Sequence, residues 1–436
     1  MIHGRMIGLL SMEDCLEETL VSVPPHSETE VTRAAGIIAL GSIVSRVLGV
    51  ARETVKSGLF GATGSVGALE VAIRVPTLLF DLLVGGMINS ALVPVFSDYV
   101  APDRREGLWC LLSVLLSVAV VGLSGCILLG EIFAPQIVWL MAGGLPPDLQ
   151  AEATALLRVM LPAVLFLNTA GIISAALYAL KRFTLPAFTA AIYNAAIVVI
   201  ALLFHKQLGV ASMALGLLVG AVLQLTLQLP GLCDAHVSFV LDSAVDALRR
   251  ISRLYVPIAF GLIIDMLGVA LSYNLASRTG PRSIPWMQYS ATLIQFPLGL
   301  VSIAVSIAIL PMLSQHATEG KSVPYKATLA HGLRLVLALT IPATVGLWIL
   351  AQPIVALVFE HGQFTAADTL ATVDALRCHL VGLIFAAVDQ PLVFAFYARK
   401  DTWTPALVGV GTVVMYVVIA LVPTLFIPLT LNHLVL

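Results

Sequence analysis

Charge is scarce in this sequence. Asp, Glu, Lys and Arg make up 11% of its 436 residues, against roughly 25% in an ordinary soluble domain, so water cannot be the solvent for most of its surface. Cysteine is sparse as well. Cys15, Cys110, Cys126, Cys233 and Cys378 stand alone with no CxxC pair, which argues against a zinc site or a disulfide framework. The nine histidines show no HExxH spacing, and there is no Gly-rich phosphate loop or nucleophile–base motif. No metal, no cofactor and no enzymatic activity are therefore expected. Residues 1–32 lack the apolar core of a signal peptide and carry Glu13, Asp14, Glu17, Glu18, Glu28 and Glu30. They are expected to form a disordered cytoplasmic N-terminal tail.

Apolar residues, by contrast, account for 59% of the chain, and its mean hydropathy is +1.00. At ~20 to 25 residues per crossing, there is room for about a dozen spans. Eleven apolar segments can be counted, bounded by Gly, Pro or charge. They run near 33–60, 66–99, 107–140, 151–180, 185–205, 209–230, 250–277, 284–314, 327–358, 367–398 and 403–426. This pattern describes an all-α polytopic membrane protein of about eleven transmembrane helices. One alternating set of loops carries eleven cations (Arg104, Arg105, Lys181, Arg182, Arg249, Arg250, Arg253, Lys321, Lys326, Arg399 and Lys400), and the other set three (Lys206, Arg278 and Arg282). The positive-inside rule places the richer set, and the N-terminus, in the cytoplasm.

The two halves repeat each other. LGVA occurs at 48–51 and again at 267–270, an offset of 219. Tyr178-Ala179-Leu180-Lys181 with Pro186 answers Tyr397-Ala398-Arg399-Lys400 with Pro405 at the same offset, as does Arg158 with Arg377. Residues 91–97 (ALVPVFS) answer 308–314 (AILPMLS) at 217. Six spans separate the copies, so both have the same orientation, which makes a parallel repeat with a cavity expected between the lobes. The lobes are expected at 33–232 and 244–436. The sixth span would have its partner near residue 428, so the second lobe is expected to be one helix short, as in a truncated product.

Some charges lie where hydrocarbon should be. If the first span enters near Arg33, Arg46 lies thirteen residues further on, about 20 Å deep, past the middle of a core about 30 Å thick. Burying an arginine there costs at least ~2.5–3.5 kcal/mol, so it must face water, a partner or a ligand. Ser42, Arg46, Gly49 and Glu53 follow at steps of four, three and four, forming one polar stripe beside Arg52. Such a stripe suits a cationic cavity for an anionic substrate, because a guanidinium fork pairs two phosphate oxygens at once. An internal ion pair with Asp81, Asp265 or Asp389 is the alternative. Arg74, before Pro76, belongs either to this cavity or to interfacial headgroups. Asp265, 219 after Arg46, is a candidate cation or proton site, and Asp389 a weaker one. Gly216 and Gly220 form a GxxxG that points to close helix packing.

These residues carry a resemblance. Ser45-Arg46-Val47-Leu48-Gly49-Val50-Ala51-Arg52-Glu53, Phe60-Gly61-Ala62 and Arg74-Val75-Pro76-Thr77-Leu78-Leu79 resemble the opening of the MurJ (MviN) family of proposed lipid II flippases, within the MOP superfamily. Residues 91–99 (ALVPVFSDY), 296–299 (FPLG), 309–311 (ILP), 362–365 (GQFT) and 396–401 (FYARKD) with Thr404-Pro405 continue it, from about residue 33 to 426. The resemblance implies a MOP-type fold of two parallel-repeat lobes around a central cavity, in a bacterial plasma (inner) membrane. It implies that a lipid-linked disaccharide-peptide crosses by alternating access, with cavity arginines holding the diphosphate. Arg46 and Arg52 carry over directly, and Glu53 stands where the family usually has an aspartate. The sequence departs from the family at Phe80, where an arginine is usual, at Gly67 in place of a common aspartate, and at Ala291 and Thr292 in place of an aspartate–arginine pair. Two of the usual positive charges are missing, with Arg74 as a partial offset. The family also usually has fourteen helices.

Substrate binding is thus expected at Arg46, Arg52, Glu53 and Arg74, with ion coupling at Asp265 and Asp389. The driving force would be a coupling cation or the membrane potential. The expected partners are a lipid-linked diphosphate and membrane lipids, without nucleic acid, and the chain is expected to be a monomer. Two alternatives stand beside flipping. One is a diverged exporter of another lipid-linked saccharide or small molecule, in which the acids couple ions and the arginines are structural. The other is a non-transporting remnant.

Overall fold

In hydrocarbon every backbone N–H and C=O must find its partner within the protein, which leaves helices or a closed barrel. The computed structural model describes residues 25–85, 91–101, 104–233, 235–236, 238–240, 245–401 and 403–421, and among them it has helices and no strand. The first half comprises α1 (Pro25–Phe60), α2 (Gly64–Phe80), a π-helical segment (Asp81–Gly85), α3 (Val93–Ser97), α4 (Arg105–Ile132), α5 (Ala134–Ala142), α6 (Pro147–Met160), α7 (Ala163–Ala179), α8 (Thr184–Leu208) and α9 (Ala211–Gln228). The second comprises α10 (Val245–Thr279), α11 (Ser283–Pro297), a second π-helical segment (Leu298–Ile303), α12 (Ala304–Thr318), α13 (Ser322–Ile349), α14 (Ala351–Phe359), α15 (Ala366–Ala398) and α16 (Trp403–Leu421).

Each of the eleven apolar runs is helical where described, and several are broken. α6 and α7 meet at an angle of 41° around Leu161-Pro162, where proline removes a backbone donor. Among the described residues, eight helices are long and apolar enough to cross a membrane, and counting the bent α6–α7 pair gives nine. The first and second runs, the second of which lies partly outside the described residues, are not in that count. α1 begins at Pro25, eight residues before the expected Arg33. Residues 1–24, the end of the last run beyond 421 and the expected partner helix near 428 lie outside the described residues.

The two halves follow one element order. α1 ends at Phe60 and α10 at Thr279, 219 residues apart, and each is followed by a glycine at positive φ, Gly61 and Gly280. The π-helical segments start at Asp81 and Leu298, 217 apart, and the breaks into α5 and α14 fall at Ala134 and Ala351, again 217 apart. Lys181 (φ 58°) and Lys400 (φ 61°) turn equivalent corners. A π segment carries one extra residue in its turn and loosens the helix locally, and here both sit midway along spans that approach the interface between the halves. α9 lies close against α8. A Cβ at Gly216 would fall 2.8 Å from Ile197 Cα, and one at Gly220 would fall 2.9 Å from the Tyr193 carbonyl oxygen, so only glycine permits this approach. The largest buried core joins α2, α5, α6 and α7 to Tyr273, Ala276, Ile284 and Met287 of the second half.

Candidate functional site

A chamber of about 580 Å³ lies between the halves. Its first-half wall comes from α1, α2, α7, α8 and α9, and its second-half wall from Tyr273 of α10 and from Gln288, Thr292, Gln295 and Phe296 of α11. Arg46, Arg52, Glu53 and Arg74 all line it, so the stripe on α1 faces inward. Four cations (Arg46, Arg52, Lys56, Arg74) stand against two carboxylates (Glu53, Glu70) on the wall, an excess of positive charge suited to an anion.

The charges are not equally free. Arg52 donates to Glu53 through Nη2 at 2.9 Å and Nε at 3.2 Å, and through Nη1 to the Asn194 side-chain oxygen at 3.1 Å. Lys56, almost fully buried, bridges the carboxylates of Glu53 and Glu70 and sits 4.9 Å above the Tyr289 ring. Two carboxylates and an aromatic face make this buried ammonium tolerable, since an unpaired charge in a low-dielectric interior is strongly disfavoured. Arg46 and Arg74 make no ion pair among the described residues. The Nε of Arg74 is buried without a hydrogen-bond partner, and the Arg46 guanidinium fits against Gly299, where a Cβ would come within 2.6 Å of Nη1. These two arginines have unspent donors.

Arg46 also borders a second, apolar groove of about 610 Å³ on the side of the molecule, formed by Ile43, Val47, Val50, Ala51, Thr54, Val55, Phe296 and Leu300. One guanidinium therefore marks the junction of a polar chamber and an apolar side groove.

At one end, the chamber is closed by contacts between the halves. Gln363 N–H donates to the Gly58 carbonyl at 2.9 Å, and the Tyr289 hydroxyl donates to the Gly61 carbonyl at 3.0 Å. Gly362 takes φ +57°, and a Cβ there would collide with the Gly58 carbonyl oxygen. Beside this seal, Thr365 and Asp368 form a capping box at the start of α15, and Asp368 also accepts from Trp286 Nε1 at 3.1 Å and pairs with Arg282 at 3.6 Å.

The acids suggested as partners for the chamber arginines lie elsewhere. The carboxylate on Arg52 is Glu53 of its own helix, and Asp81 is exposed within electrostatic reach of Arg74. Asp265 on α10 and Asp389 on α15 are outside the chamber, close enough for their charges to act on each other and on Tyr397. Lys56 and Glu70 were missed from sequence. Lys56 carries the α1 stripe one step further, since 42, 46, 49, 53 and 56 follow at four, three, four and three. Glu70, Arg74 and Thr77 form a similar stripe on α2. Two positions at which the chain departs from the family, Phe80 and Thr292, are both on the chamber wall.

Among solved structures, the chain is similar to a lipid II flippase MurJ in an inward closed conformation, with a TM-score of 0.79 at 23% identity over 91% of this chain and 83% of that one. It also matches an inward-facing multidrug-resistance MATE transporter of the MOP superfamily (TM-score 0.75, 12% identity, 89% of each chain). In sequence it is 31% identical to the lipid II flippase MurJ of Burkholderia cenocepacia over 384 residues, covering 86% of this chain and 74% of that protein. It is 30% identical to a probable lipid II flippase MurJ of Haemophilus influenzae over 399 residues, covering 85% and 76%. The profile of the family described as Lipid II flippase MurJ matches residues 56–436. A polytopic helical chain with this chamber, these relatives and this profile belongs to the lipid II flippase MurJ family.

Proposed function

We propose that this chain carries lipid II, or a closely related diphosphate-linked lipid, from the cytoplasmic to the outer leaflet of the bacterial inner membrane by alternating access. The observation that carries the proposal is the position of Arg46, shared by the charged chamber and the apolar side groove. A lipid-linked substrate needs both environments at once, because its diphosphate and sugar must leave the hydrocarbon while its tail stays in it. In this reading Arg46 and Arg74 bind the diphosphate directly. Arg52 contributes the part of its fork that Glu53 and Asn194 leave open, and Lys56 holds the wall together. No bond is broken; binding and a change of state do the work.

The N-terminus and the cation-rich loops lie in the cytoplasm in this proposal, and the moving bodies are the lobes at 33–232 and 244–436. Asp265 and Asp389 form the coupling site, because two carboxylates that feel each other's charge gain from a shared cation.

Rescue of a flippase-depleted strain tests the proposal. A hydrogen bond to a charged group contributes about 1.5–3 kcal/mol, so Arg46→Ala and Arg74→Ala should each weaken substrate binding roughly tenfold to a hundredfold and abolish or severely reduce rescue at normal expression. Undiminished rescue by both variants would remove the chamber from the substrate path. Asp265→Asn/Asp389→Asn should leave substrate binding intact and remove the cation dependence of transport in reconstituted vesicles.

A further inference from the structure

A second polar cavity, of about 460 Å³, opens at the loop ends of the second half, between the turn joining α12 to α13 and the corner joining α15 to α16. Lys321, Arg399 and Lys400 line it together with His316, and no carboxylate is among its lining residues. It shares no residue with the central chamber. The neighbouring acids are engaged. Asp401 accepts from the backbone N–H groups of Trp403 and Thr404 at 3.1 and 3.0 Å, and Glu319 holds Lys321 and Gln315 at 2.9 and 3.0 Å. The Arg399 guanidinium lies 4.4 Å above the ring of buried Tyr325, which fixes its plane and leaves its donor edges free to point elsewhere. The Nδ1 of His316 is buried with no hydrogen-bond partner among the described residues.

The internal repeat gives the equivalent corner of the first half for comparison. Lys181 and Lys400 turn it with the same backbone, at φ 58° and 61°. In the first half, however, Leu180 stands for Arg399, Leu108 for Tyr325 and Tyr99 for His316, at the offsets of 219 and 217 that relate the halves. There Leu108 is fully buried, and Tyr99 and Leu180 pack on the same core. Lys321 and Lys400 have cationic counterparts in Arg104 and Lys181, so what the second half adds is Arg399, with His316 and Tyr325, where the first half has apolar packing. Mutual repulsion opposes gathering a third like charge at such a corner.

We propose that this corner is a binding site for a phosphate group, presented either by the headgroup of an anionic membrane lipid or by a free phosphate ester. A stacked guanidinium and two ammonium groups supply fork and point-charge donors for phosphate oxygens. The site lies where helix ends meet the headgroup layer, and each cation near a lipid surface there strengthens anion binding roughly fivefold.

The test uses the purified full chain. Native mass spectrometry measures retention of phosphatidylglycerol against phosphatidylcholine, and thermal shift measures the response to inorganic phosphate. The variants are Lys321→Gln/Lys400→Gln, Arg399→Gln and the exposed single Lys400→Gln, with Lys206→Gln, an exposed lysine at the end of α8, as a control. Loss of phosphatidylglycerol retention by roughly tenfold or more in the double variant, with phosphatidylcholine retention and the Lys206→Gln control unchanged, assigns the site to a lipid headgroup. Loss of the phosphate response alone assigns it to a free phosphate ester. If both responses are unchanged in Arg399→Gln and Lys400→Gln, the proposal is overturned. Lys400→Gln keeps that outcome readable should the double variant not fold.

Discussion

Lys56 shows how strongly one side chain can depend on its neighbours. Its ammonium is buried between Glu53 and Glu70 under the Tyr289 ring, so it neutralises charge that would otherwise be stranded. Lys56→Met should leave Glu70 uncompensated and Glu53 held by Arg52 alone, and cost about 3–5 kcal/mol, seen as a lower melting temperature in detergent. Lys56→Met/Glu70→Gln should recover part of that loss, because the two positions are coupled. A single variant that melts like the parent would show that the network contributes nothing. Gly362 makes a second residue-scale prediction. Alanine there meets both an unfavourable positive φ and the Gly58 carbonyl, whereas alanine at Gly320 (φ +67°) meets open space. Gly320→Ala should cost about 1 kcal/mol of backbone strain. Gly362→Ala should cost more and should expose Gly61 and Tyr289 to solvent, measured as faster hydrogen exchange in residues 58–62.

At the scale of the element, charge and capping decide where helices start and stop. Asp401 caps α16, and hydrogen bonds from the Thr404 hydroxyl and amide hold its carboxyl below the usual carboxylate range. A depressed folded-state value contributes stability that is complete above the ordinary carboxylate value and gone once pH falls through the depressed one. The first turn of α16 should therefore keep full protection above the ordinary carboxylate range and lose it progressively as pH falls through that range to the depressed value. Exchange of the Trp403 and Thr404 amides, corrected for intrinsic rate, should show that step, and it should vanish in Asp401→Ala. Much at this scale was legible in advance. All eleven runs could be read from apolar stretches between Gly, Pro and charge. The π segments at 81–85 and 298–303 could not, because a hydrogen-bond slip of one residue follows from how a helix packs and leaves no periodic mark in the sequence.

For the whole molecule, the contacts between halves at Gly58, Gly61, Tyr289 and Gln363 identify what must separate if the chamber is to open at that end. A Cβ on Gly58 would lie 3.8 Å from His361 Cβ, close to the mean of roughly 3.8 Å in disulfides. Gly58→Cys/His361→Cys, in a background lacking the native cysteines, should cross-link on oxidation, stop transport of a labelled lipid-linked diphosphate in vesicles, and recover with reductant. Transport that continues in fully cross-linked protein would mean the halves do not part there.

By itself the sequence determined the class of protein and one face of the site. Scarce charge and long apolar runs dictate helices in a bilayer, and steps of three and four put Arg46, Gly49 and Glu53 on one side of α1, since both follow from local periodicity. Tertiary structure alone decided which cations are neutralised. Lys56 lies between carboxylates from two helices, Arg46 and Arg74 retain open donors, and Asp265 and Asp389 lie apart from the chamber. Ion pairing depends on distances of a few ångströms between helices, and no one-dimensional pattern carries those distances.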